Sequence, residues 1–298
     1  MNLRPSLLHA LSSLSPPAAP FLHPTLNRRY AYYPPQTQSS SSPPPLLLLG
    51  GTSQSISSWS PHVSQLSKSR LVIAYECCGQ GPSPPLSHET CAIESQVSTL
   101  EKFVNGLNLE EVDVVGLSFG SRVGLAFSRT GKVNKLHVSG LTRTRDDYSM
   151  KVLEDWRGIL IDGSDEDHGI LKRFAESVID VSYSEGFKEK NSKWREKWEE
   201  FVVNNNTVEG LRGLLNQSHA GVEDEWGVTK SLLASRSENR FIVGEVDVLC
   251  GAESEKGVEG AMEELRPFGQ TKVFEGCGHA VPMEMGKAWR DDLLEFLT

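Results

Sequence analysis

The stretch Val114-Val115-Gly116-Leu117-Ser118-Phe119-Gly120-Ser121 constrains this chain more than any other. An apolar run, Val112 to Val115, enters G-x-S-x-G, and a helix-forming run rich in small residues follows from about Arg122 to Arg129. Such a strand, turn and helix need a turn too tight for most side chains, so Gly116 and Gly120 flank the serine. The turn lifts Ser118 Oγ off the sheet edge and turns the Phe119 N–H toward the same space. A nucleophile needs that exposure, and an oxyanion formed by acyl transfer needs that donor.

A serine needs a base, and the base needs an orienting acid. Near the C-terminus, Lys272 to Phe274 reads as a short strand running into Glu275-Gly276-Cys277-Gly278-His279. Upstream, Arg240 to Gly244 reads as a strand whose following loop carries Asp247. Early in the chain, Leu46 to Leu49 reads as a buried strand ending in Gly50-Gly51-Thr52. There Gly51 permits close backbone approach, and the Thr52 N–H is a second oxyanion donor beside that of Phe119. Nucleophile, acid and base thus follow strands in the order Ser118, Asp247, His279.

These motifs resemble the α/β-hydrolase superfamily, in its single-domain esterase and lipase-like group, over about 46–298. The resemblance implies an α/β fold: a mostly parallel central sheet with helices on both faces and an inserted helical cap. It also implies the Ser118–His279–Asp247 triad, an oxyanion hole at Thr52 and Phe119 supported by Gly50 and Gly51, and the elbow glycines Gly116 and Gly120. The chain departs from the pattern in the oxyanion loop, where many relatives have His-Gly. It departs again at Glu76, where many have Asp. A serine at the elbow disfavours dehalogenase and epoxide-hydrolase chemistry, for which relatives use Asp. The expected activity is cleavage of a small carboxylic ester or thioester, with no metal and no cofactor. Two alternatives stay open. One is a carbon–carbon bond hydrolase or lyase acting on a carboxylated diketone-like substrate. The other is a ligand-binding protein of this fold without turnover.

The rest of the chain fits a globular enzyme. Strands are expected near 46–49, 71–75, 112–116, 135–139, 240–244 and 271–274, and helices near 59–67, 91–106, 120–129, 254–266 and 284–297. Alternation of this kind builds a parallel sheet covered on both faces. Between about 141 and 238 the pattern is helical only, which is the expected cap. Within it Phe187, Trp194, Trp198 and Phe201 are spaced to share one helix face, read mainly as packing. Arg143 and Arg145, where the cap begins, read first as an exposed charge pair; their alternative role, shared with Arg122 beside the elbow, is to favour an anionic substrate. The net charge of −9 comes without a basic, aromatic-interleaved patch, so nucleic acid is not an expected partner. No apolar run reaches the length of a membrane span. The five cysteines have no zinc or redox spacing and read as reduced thiols. Oligomeric state is not legible.

The N-terminal segment differs. The first acidic residue is Glu76, and residues 1–45 carry Arg4, Arg28 and Arg29 among many serines and prolines. That composition reads as a transit peptide with a Ser/Pro-rich linker at 39–45, outside the fold. Leucines between Met1 and Leu14 suit a short amphipathic helix. The expected destination is the mitochondrion, with plastid or cytoplasm as alternatives.

Overall fold

The computed structural model describes residues 21–23, 26, 28–37, 43–82, 91–161, 168–219 and 227–298. Four short runs, three of them wholly or nearly apolar, form the centre of the sheet. They are β3 (Leu46–Leu49), β4 (Val72–Tyr75), β5 (Val112–Leu117) and β6 (Val133–Ser139), followed by β7 (Glu238–Gly244) and β8 (Gln270–Phe274). Every residue of β3, β4 and β5 is buried, as strands covered on both faces must be. From β3 to β8 all pairings are parallel.

Side-chain alternation sends each strand into two cores. Leu47, Leu49, Ile73 and Tyr75 face the core beneath α2 (Ile93–Gly106), α3 (Phe119–Ser128) and α10 (Gly257–Leu265). Leu46, Leu48, Val72 and Ala74 face the opposite core, beneath α1 (Ser60–Leu66) and α12 (Gly286–Leu297). The expected strands and helices of the main domain are all present, with ends shifted by a few residues.

The expected boundary at residue 45 is corrected. Phe21–Leu22 (β1) and Arg29–Tyr33 (β2) extend the sheet, giving the order β1-β2-β4-β3-β5-β6-β7-β8. β2 runs antiparallel to β4, with Tyr30 opposite Tyr75 and Tyr32 opposite Ile73. Its burial, not its composition, decides the matter: Ala31 and Tyr32 lie in the core, and Arg28 is 1% exposed. The expected amphipathic helix at 1–14 and the linker's residues 39–42 lie outside the described residues.

The expected cap is also narrower than 141–238. Its helices are α4 (Asp147–Leu160), α5 (His168–Ser182), α6 (Glu185–Lys190), α7 (Ser192–Asn205) and α8 (Val208–His219). They close on a third core built around Trp156, Phe174, Trp198 and Val202. The last helix of the insertion, α9 (Val228–Ala234), instead contributes Val228 and Leu232 to the main core beside α3. The single helix expected from Phe187 to Phe201 is two, broken at Asn191 (φ −125°, ψ 39°). Its rings still gather: Trp194 and Trp198 stack at 5.7 Å, and Phe187 meets Trp194 edge-on at 5.0 Å. Among the described residues no helix is long and apolar enough to cross a membrane.

A buried ionic cluster ties α12 to the sheet. Asp292, 3% exposed, accepts hydrogen bonds from His137 Nε2 (3.0 Å), Arg240 Nη1 (3.0 Å) and Lys272 Nζ (2.8 Å), one from each of β6, β7 and β8. Burial alone would raise its carboxyl pKa. The bonds from His137 and Lys272, with the charge of Arg240, outweigh burial and hold it at about 2, below the ordinary 3.8. Asp292→Asn therefore costs about 3 kcal/mol of stability at neutral pH. Because the folded-state pKa is depressed, this contribution is complete above about pH 4 and disappears as pH falls toward 2. Thermal melts of both proteins across that window check it; a difference independent of pH would contradict it.

Candidate active site

Ser118 is the last residue before α3 and adopts φ 54°, ψ −114°. Positive φ at a side-chain-bearing residue is strained, and such strain persists only where the surroundings enforce it. They do so here by close packing. A Cβ on Gly120 would collide with the carbonyl oxygens of Leu49 and Gly50, and one on Gly116 would sit 2.6 Å from Ser121 Cα. Ser118 N donates to Ser139 O at 2.9 Å, and Ser121 Oγ donates to the same oxygen at 2.7 Å, so the turn is pinned to the end of β6. Phe119 opens the helix, so its N–H has no intrahelical acceptor.

Asp247 and His279 lie in adjacent loops. His279 Nδ1 is 2.8 Å from Asp247 Oδ2. A carboxylate only accepts, so Nδ1 carries the proton and Nε2 keeps its lone pair. His279 Nε2 is buried and has no hydrogen-bond partner. The two loops are stitched by Val246 N to Cys277 O (3.0 Å) and Gly276 N to Glu245 Oε2 (2.8 Å). Asp247 is fully buried, and its other oxygen accepts from Leu249 N at 3.0 Å. Space for the imidazole comes from Gly140: a Cβ there would stand 2.6 Å from His279 Cε1.

Ser118 and His279 line one cavity of about 50 Å³, together with Gly51 and Thr52. No direct hydrogen bond joins Ser118 to His279; such bonds are often long without substrate and tighten when it binds. Gly51 lies against the elbow, since a Cβ on it would be 3.4 Å from Ser118 Cβ. Two glutamines hold this loop. Gln54 Oε1 accepts from Gly51 N (2.8 Å), and Gln80 Nε2 donates to Gly50 O (2.6 Å) and Gly51 O (2.7 Å). Gln80 stands between Gly79 and Gly81, and the sequence reading did not single it out. Glu76 accepts from Ile56 N at 3.2 Å and so supports the turn beyond the oxyanion loop, away from the triad.

The far walls of the cavity come from the cap: Trp156, Phe174, Val178, Tyr183 and Trp198. No Lys, Arg, Asp or Glu is among the described residues that line it. Arg122, Arg143 and Arg145 do not line it. Arg143 Nε reaches Thr229 Oγ1 at 2.9 Å instead. Burial lowers the Arg145 pKa, against the opposing influence of Cys250, Asp247 and Asp146.

Asp247, Cys250 and His279 also offer ligand atoms within 4.8 Å of one another. The donor set is poorly suited to a cation. Burial and the neighbouring Asp247 hold the Cys250 thiol well above its ordinary pKa, the thiol hydrogen-bonds that carboxylate, and the Arg145 and Arg122 charges act on it. Cys277 is buried and its thiol pKa is raised, first by burial and then by Glu284.

Comparison with known proteins agrees with this architecture. Residues 46–291 match the model of the alpha/beta hydrolase family. The chain belongs to that family and is, with it, a hydrolase. It is 25% identical over 260 residues to a Bacillus subtilis (strain 168) protein named as a candidate 2-succinyl-6-hydroxy-2,4-cyclohexadiene-1-carboxylate synthase; the match covers 83% of this chain and 88% of that one. The enol-lactonase of Burkholderia xenovorans LB400 superposes with a TM-score of 0.73 at 16% identity, over 91% of this chain and 96% of its own. A thermophilic esterase of Thermogutta terrifontis does so with a TM-score of 0.72 at 21% identity, over 91% and 93%.

Proposed function

We propose that this hydrolase cleaves small, uncharged carboxylic esters or thioesters through a covalent acyl-enzyme. One observation carries the reading: a strained serine and a histidine bonded to a buried aspartate open on the same apolar cavity. In the first step His279 Nε2 takes the Ser118 proton as Oγ bonds to the carbonyl carbon. The Thr52 and Phe119 N–H groups stabilise the oxyanion. Asp247 holds the imidazole in the required tautomer and favours its cationic form. The proton then passes from His279 to the departing alcohol or thiol. Water, deprotonated by the same nitrogen, releases the acid and restores Ser118.

The uncharged cavity lining supports a neutral acyl group. A carboxylated substrate, as in the carbon–carbon alternative, would need a cationic partner there, because burying an unpaired carboxylate is costly. The same reading includes an organellar destination, on the acid-free N-terminal composition alone.

A substrate panel tests the reading. With matched nitrophenyl esters, we expect multiple turnovers, and kcat/KM at least tenfold lower when the acyl group carries a carboxylate. Faster cleavage of a carboxylated diketone would favour the carbon–carbon alternative. Release of a single equivalent would favour a binding protein.

A further inference from the structure

We infer that Glu284 is a positioning residue that ties one wall of the acyl cavity to the loop carrying His279, an inference that rests on the reading above. Glu284 closes the short helix α11 (Val281–Glu284), five residues beyond the histidine. Its Oε1 accepts from Gly278 N at 2.9 Å. Its Oε2 accepts from Ser184 N at 3.2 Å and from Ser184 Oγ at 2.6 Å. Beside these, Ala280 N donates to Ser182 O at 3.2 Å. One carboxylate therefore joins the residue before His279 to the turn between cap helices α5 and α6.

Both joined segments line the cavity: Ser182 and Tyr183 on the cap side, His279 and Ala280 on the other. The contact also reaches into the cap. Ser184 Oγ, while donating to Glu284, accepts from Phe187 N at 3.3 Å and so caps α6. Phe187 stacks on Tyr183 at 5.4 Å. The packing around the junction is close, since a Cβ on Gly278 would stand 2.8 Å from both Glu284 Oε1 and Ser182 O. A shift of the Tyr183 wall thus shifts the histidine loop.

The site calls for a carboxylate in particular. All three incoming groups are donors, and a carboxylate offers two accepting oxygens and no hydrogen. Glutamine has one of each. In either orientation its NH2 faces the N–H of Gly278 or that of Ser184, so an isosteric change breaks one half of the tie. The acyl group packs against the same wall. Its fit and the distance from His279 Nε2 to Ser118 Oγ are then set together, and small displacements there carry large rate penalties.

The test uses the full chain with Glu284→Gln and the milder Ser184→Ala. Hydrogen exchange is followed in the segments 181–187 and 275–281. The expected result for Glu284→Gln is joint loss of protection in both, by about tenfold. Unchanged exchange, or loss in one segment alone, overturns the tie. Kinetics per titrated Ser118 are compared for nitrophenyl acetate and nitrophenyl benzoate. We expect the benzoate-to-acetate ratio of kcat/KM to change at least fivefold in Glu284→Gln, and in the same direction but less in Ser184→Ala. A residue that only stabilises the fold would lower the titratable fraction and leave both per-site constants and their ratio unchanged, which also overturns the proposal. Should the wild type cleave no ester, the proposed function fails, and the exchange experiment still decides the tie by itself.

Discussion

Ser118→Ala is expected to lower kcat for ester hydrolysis by about 10⁴-fold or more, to the level left by the oxyanion donors and binding alone. His279→Ala is expected to fall to the same level, and the double variant no further, because nucleophile and base act as one unit. The two differ in what they do to the fold. Ser118 Oγ makes no hydrogen bond to another described residue, and alanine keeps the Cβ and with it the same backbone strain, so Ser118→Ala keeps the wild-type melting temperature. His279 is the partner of a fully buried carboxylate. Removing it leaves Asp247 with Leu249 N and the Cys250 thiol, at a cost of about 1–3 kcal/mol. Rates must therefore be expressed per folded molecule. Wild-type turnover in either folded variant would remove Ser118 or His279 from the mechanism.

The second large effect concerns the N-terminus. The comparison is between a chain lacking residues 1–20, which keeps β1 and β2, and one lacking residues 1–45. Removing residues 1–45 takes away β2 and with it the buried Arg28, Ala31 and Tyr32. It uncovers the backbone edge of β4, where Tyr30 to Tyr33 were paired with Tyr75 to Val72. It also removes Phe21, whose ring stacks on Tyr32 at 5.3 Å. Burial of Tyr32 and Ala31, with the strand's hydrogen bonds, amounts to at least about 3 kcal/mol. For a domain of this size the melting temperature should fall by about 5 °C or more. An exposed apolar edge strand also invites aggregation. Melting curves and light scattering of the two truncations decide the point. Equal melting temperatures would mean that β2 adds nothing to the sheet's stability.

The same strand shows where sequence reading stops. Leu46 to Leu49 is an unbroken apolar run and Val112 to Val115 one interrupted only by Asp113, both leading to glycines, and such runs announce buried parallel strands. Arg29 to Tyr33 carries a polar residue and three tyrosines, in a stretch whose composition matches a leader. Its membership depends on an antiparallel partner some forty residues away, which no local pattern encodes. The grouping of Ser118, Asp247 and His279 was legible because each of the three follows a strand in a fixed order. The groups that hold them were not. Gln54, Gln80, Gly140 and Glu284 act through contacts between loops distant in sequence, and their local surroundings are unremarkable. Two faint signals existed: Gln80 sits between two glycines, and Glu284 stands five residues beyond the histidine. The cap's aromatic spacing located its core, but the break at Asn191 is a backbone event without a proline or glycine to mark it.

The central claim is that Ser118 is an activated nucleophile. It is tested most directly by treating the full chain with a fluorophosphonate probe and mapping the labelled peptide by mass spectrometry, with Ser118→Ala as control. Labelling confined to Ser118, absent from that control and strongly slowed in His279→Ala, is the predicted result. A folded protein that takes up no label, or takes it up on another serine, would contradict the account.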